Sequence, residues 1–169
     1  MGVALCLGPG LLFVLAVGGI ASAQTVNGEV PREPLERVQY HLKQAQPLAE
    51  HFEAVLREGC PRFASPAEWR AYMQRETDRM VLLGAHMEEA WAEARRAVDD
   101  DVRRVAKAPR RRLPEVQALI DKYSACAQDN GATLSVGPLF RRLERDVPRR
   151  QADIALPPAP YAAPAMPVP

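Results

Sequence analysis

With 169 residues and a net charge of +1, the chain has material for one domain, and as a whole it is not built to bind polyanions. Aromatic residues make up 6%, and alanine and leucine dominate the apolar set, which favours helix over sheet. The expected class is all-α: a helical hairpin or bundle of three long helices plus a short fourth, over residues 33–153.

Residues 1–23 read as a signal peptide. Their densest apolar stretch is Leu11 to Val17, and they end in Ala21-Ser22-Ala23, the small-x-small pattern that signal peptidase accepts. Cleavage makes Gln24 the mature N-terminus and the protein periplasmic or secreted. No Lys or Arg precedes the apolar run, so the alternative is a retained segment, residues 3–23, that anchors the chain in a membrane. Four glycines and Pro9 make that segment a poor membrane helix. Residues 24–32 form a polar lead-in with Gly28 and Pro31.

The first helix is expected from Glu33, with Pro34 in its first turn, where a missing N–H costs nothing. Leu35, Val38, Leu42, Ala45, Ala49, Phe52 and Leu56 alternate by three and four, a heptad seam that stays in phase across Pro47. Gly59 and Pro61 end it. Ser65-Pro66-Ala67-Glu68 then combines an N-cap, a first-turn proline and a capping-box glutamate. The stripe that follows, from Trp69 through Met73, Met80, Met87, Trp91 and Val98 to Val105, meets no proline before Pro109. It favours one continuous helix from Pro66 to Lys107, about 60 Å long. The first places for a break are Asp99-Asp100-Asp101 and then Gly84.

A turn at Ala108–Pro114 precedes a third helix carrying Val116, Ile120, Tyr123 and Ala127, closed by Asn130-Gly131. The short fourth helix is expected from Pro138, with Leu139, Phe140, Leu143 and Val147, and Pro148 is expected to stop it. Residues 154–169 are a Pro/Ala-rich tail that cannot form a core, and its Pro-x-x-Pro repeats read as spacer.

Cys60 and Cys126 remain after the leader is removed. In an oxidising compartment they suggest one disulfide. An unbroken second helix with the third folded straight back would hold them about 45 Å apart, so the bond and the continuous helix exclude one another. The stripe tips the reading towards the helix, leaving an interchain bond or free thiols.

Neither Cys-x-x-Cys-His, His-x-x-x-His nor Gly-x-Ser-x-Gly occurs, so no catalytic residue or cofactor is expected. Methionines at 73, 80 and 87 read as seam filling, and the histidines as surface residues flanking the seams. The rival reading is a metal- or ligand-binding bundle using His41, Met80, His86 and Met87. Three adjacent aspartates, Asp99 to Asp101, point in different directions on a helix and cannot chelate together unless the helix breaks there.

Charge is polarised. Glu29–Asp101 holds 15 acidic and 10 basic residues, whereas Val102–Asp153 holds 12 basic and 6 acidic. Arg103, Arg104, Lys107, Arg110, Arg111 and Arg112 form a basic cluster. No aromatic residue interleaves it, so nucleic acid is not the expected partner, and an anionic envelope surface is the candidate. The functional expectation is an exported helical interaction or scaffold module that binds a protein partner or itself through its helical seams.

Overall fold

The computed structural model describes residues 30–107 and 116–158. The leader, most of the lead-in, the turn with Arg110 to Arg112 and the tail from residue 159 lie outside the described residues. Within them the protein is all-α, with no strand: α1 Pro34–Arg57, α2 Pro66–Arg96, α3 Asp100–Lys107, α4 Val116–Asp129 and α5 Val136–Ile154.

Local chemistry accounts for the ends. Pro34 opens α1, and Pro47 lies inside it as the unslipped seam implies. Ser65 caps α2 by accepting from the Glu68 amide at 3.3 Å, and the Glu68 carboxylate accepts from the Ala64 amide at 3.0 Å. At the end of α4 the Ala132 amide donates to the Ala127 carbonyl at 2.8 Å and Gly131 to Gln128 at 3.0 Å. Gly131 sits at φ 62°, the left-handed position that this closure requires and that glycine takes without strain.

Two expectations are corrected. The second helix is not continuous to Lys107: Ala97 is extended (φ −78°, ψ 141°) and α3 starts afresh. Asp99 supplies the reason. Its carboxylate accepts from the Asp101 amide at 2.7 Å, so it works as the N-cap of a new helix rather than as a helical residue of the old one. Nor does Pro148 stop the last helix. α5 runs 19 residues and carries Pro148 inside it. Pro148 and Glu144, whose carbonyl loses its amide donor, are both exposed, so the lost bond falls on the solvent side of the helix.

The pairings set the topology. Arg37 meets Glu93, His41 meets His86 and His51 meets Glu76, so α1 and α2 are antiparallel. Arg142 meets Asp78, Val147 meets Gly84 and Gln151 meets Glu89, so α5 runs parallel to α2. A parallel neighbour needs a long return, and α3 and α4 provide it.

Cys60 and Cys126 are bonded, with Cα atoms 5.1 Å apart, which overturns the preference for the long helix. Asn130 reinforces the same corner: its amide donates to the Pro61 and Cys126 carbonyls at 2.9 and 2.8 Å and its oxygen accepts from the Phe63 amide at 2.9 Å. One apolar cluster, with Phe52, Trp69, Met73, Met87 and Tyr123, fills this end. At the other, Val38, Ala90, Ala94, Ala97, Val102 and Ala106 let α1, α2 and α3 approach closely.

Candidate functional site

Three features of α2 stand apart from ordinary helix packing. The first is a buried polar cluster facing the start of α1. Arg37 and His41 are one turn apart on α1, and His86, Glu89 and Glu93 share one face of α2. All five side chains are under a tenth exposed. Arg37 donates to Glu93 Oε1 at 2.6 Å and to the carbonyls of Pro31 and Leu156, tying both ends of the described chain to this level. Arg96, half exposed, reaches Glu93 at 3.0 Å and Glu89 at 3.4 Å. Gln151 donates to the second oxygen of Glu89 at 2.9 Å.

The two imidazoles touch through Nδ1 at 3.2 Å. Burial holds His41 down to about 4, the Glu93 charge only partly offsetting it and Arg37 and Arg96 adding to it. His86 is likewise lowered to about 4 by burial, then by His41 and Arg150. Both rings are therefore neutral at physiological pH, and one shared proton makes the contact between them. Burial alone would raise Glu93, but the hydrogen bond and charge of Arg37, followed by Arg96, bring it below the usual carboxylate range. Among the described residues, three buried side-chain atoms have no protein partner: Arg37 Nε, His41 Nε2 and Glu93 Oε2.

The second feature lies three turns down. Glu76, fully buried, accepts from Tyr123 at 2.8 Å and pairs with His51 at 2.7 Å and with Arg79. Burial, then the charge and hydrogen bond of Glu76, push the Tyr123 phenol well up. Three helices meet on this carboxylate through three donors, so it works as a cross-brace.

The third is an apolar groove of about 540 Å³ between α4 and α5. α2 gives its floor through Met80, Gly84 and Met87, α4 one wall through Val116, Leu119 and Ile120, and α5 the other through Phe140, Leu143 and Val147. Among the described residues, Glu88 is its one charged lining residue. A Cβ on Gly84 would stand 3.0 Å from Val147 Cγ2, so the absent side chain lets α5 settle on α2.

The residues singled out from sequence are distributed as follows. His41 and His86 are brought together, but in the interior rather than on the surface. Met80 and Met87 line the groove instead of joining them. Arg103 pairs with Asp100 at 2.8 Å and Arg104 with Asp101 at 2.7 Å, while Lys107 lies 5.0 Å over the Trp91 ring. Arg110, Arg111 and Arg112 fall outside the described residues. Sequence reasoning missed Arg37, Glu76, Glu89 and Glu93. The signal was present: Arg37 and His41 are spaced by four, and His86, Glu89 and Glu93 by three and four, so each set occupies one helix face. Among the described residues no helix is long and apolar enough to cross a membrane.

Neither a protein-family model, nor a curated protein, nor a solved structure matches the chain.

Proposed function

We propose that this chain is an exported helical interaction module that pairs with a second copy of itself through the groove between α4 and α5. The observation that carries the reading is the groove itself: a recess of about 540 Å³ on a small helical domain, with a single charged side chain among the described residues of its lining. Its lips supply the projections that such a recess accepts. Val116 is 57% exposed and Phe140 40%, on opposite walls, with the side-chain-free Gly84 and two deformable methionines between them. Projection and recess on one patch are what a two-fold pair requires, because each copy presents the same surface to the other. Export is supported by the Ala21-Ser22-Ala23 leader and by the Cys60–Cys126 bond, which suits an oxidising compartment.

The test is sedimentation equilibrium of the mature chain across a wide concentration range. A monomer–dimer equilibrium with Kd on the order of 10 µM is expected. Phe140→Asp, with unchanged helicity, should weaken it by about 30-fold, the loss typical of a central aromatic anchor. A chain that stays monomeric throughout, or a Phe140→Asp variant that dimerises as before, refutes the reading.

A further inference from the structure

We propose that His41, Glu89 and Glu93 form a binding site for one divalent first-row transition-metal ion, of the zinc class. One ring nitrogen of His41 and one carboxylate oxygen from each glutamate lie within 4.8 Å of one another, all on buried side chains. On these same side chains, His41 Nε2 and Glu93 Oε2 are buried with no hydrogen-bond partner among the described residues. A buried acceptor left unpaired is costly, and two such atoms in one small cluster call for something cationic or hydrogen-donating between them.

The surroundings match those of a metal-binding imidazole. A ligating histidine holds its second nitrogen against an acceptor, which fixes ring and tautomer. Here His41 Nδ1 is already committed to His86 Nδ1 at 3.2 Å, so with His41 as donor the Nε2 lone pair is free for an ion. The carboxylates are oriented in the same way, Glu89 by Gln151 at 2.9 Å and Glu93 by Arg37 at 2.6 Å. One nitrogen and two oxygens suit a borderline cation better than calcium, which prefers oxygen alone, or copper(I), which prefers sulfur. Around a four-coordinate ion with bonds of about 2.0–2.2 Å the ligands stand about 3.4 Å apart, so loading draws α1 and α2 together by small side-chain adjustments. The fourth position is left for water.

Charge identifies the competitor. Without the ion, Arg37 and Arg96 balance Glu89 and Glu93. Arg37 is buried, whereas the Arg96 side chain is 51% exposed and can withdraw into solvent as the dication enters. Arg96 is thus both the gate to the site and a cation that the metal must displace.

The experiment is titration of chelator-stripped mature protein with Zn²⁺ by calorimetry and with Co²⁺ by visible absorption. The expected result is one ion per chain, a Co²⁺ band of the intensity given by four- or five-coordinate sites, and a raised Tm. His41→Gln should weaken Zn²⁺ binding by about 100-fold and His86→Gln by about 10-fold. His51→Gln, at the Glu76 brace, should leave it unchanged. Arg96→Gln should tighten binding by about 10-fold, a gain that loss of folding cannot mimic. Absence of stoichiometric binding overturns the proposal and leaves the cluster to an internal water. Binding that survives His41→Gln, or that is not strengthened by Arg96→Gln, overturns it as well.

Discussion

Tyr123 shows how much one hydroxyl can hold. It donates to a carboxylate with no access to water, and Glu76 gathers two further donors from α1 and α2. Replacing Tyr123 by Phe keeps the ring in its aromatic cluster and removes the hydroxyl, with its bond to Glu76 and its contact with Tyr72, so the loss reads chiefly the hydrogen bond to a buried charge. Chemical denaturation should show about 2 kcal/mol of destabilisation. A variant as stable as the parent would mean that His51 and Arg79 satisfy Glu76 by themselves. At the other polar cluster the informative variable is pH. His41 and His86 titrate at about 4 when folded, against about 6.5 unfolded. Both folded values are lowered, so between these limits the unfolded chain binds more protons, and stability falls as pH falls. The metal-free protein should lose up to about 1.4 kcal/mol per pH unit for each ring across that window, with Glu89, Glu93, Arg37, Arg96 and Arg150 arrayed around the pair. Glu93, held below its ordinary value, extends the loss to still lower pH. Denaturation midpoints between pH 7 and pH 4 check this, and His86→Gln should roughly halve the slope.

Among the elements, the contact of α5 with α2 turns on one missing methyl group. Alanine at position 84 gains about 1 kcal/mol of helix propensity over glycine but places a carbon 3.0 Å from the stiff Val147 side chain. The two effects should nearly cancel in Gly84→Ala. In a Val147→Ala background the clash is gone, and the same change should stabilise by about 1 kcal/mol. A thermodynamic cycle over the four proteins measures the coupling, and additivity would show that α5 does not rest on Gly84. Most of these elements were legible from apolar spacing and caps, the Ser65–Glu68 box above all. The two element errors have the same origin: each concerned where a helix ends. The stripe continued in phase through Asp99, yet a local side-chain cap on the next helix outweighed it. At Pro148 the proline signal was right about the lost hydrogen bond and wrong about its consequence, because that bond faces water while the ion pairs and apolar contacts of α5 lie on its other side. The polar clusters were hidden for a different reason. Charged residues at helical spacing read as exterior unless their partners are known, and those of Glu76, Glu89 and Glu93 come from α1, α4 and α5, up to 62 positions away.

For the molecule as a whole, the Cys60–Cys126 bond links the start of the α1–α2 connection to the end of α4 across 66 positions. In the chain-entropy model, closing a loop of that length is worth about 4 kcal/mol, a large share of the stability of a small domain. A Cys60→Ser, Cys126→Ser double variant should therefore melt well below the parent in non-reducing buffer, and added reductant should bring the parent down to it. Equal melting of the two would mean that the Asn130 bonds, with the one that Lys122 donates to the Glu58 carbonyl at the same corner, already fix it. The bond also makes the middle of the chain a closed ring. All of α2, α3 and most of α4 lie on that ring, and so do Arg110, Arg111 and Arg112, a tract rich in trypsin sites. A single cut anywhere between the two cysteines opens the ring without releasing a fragment. A nicked molecule keeps its mass, apart from one added water, until it is reduced, and so outlasts its own cleavage.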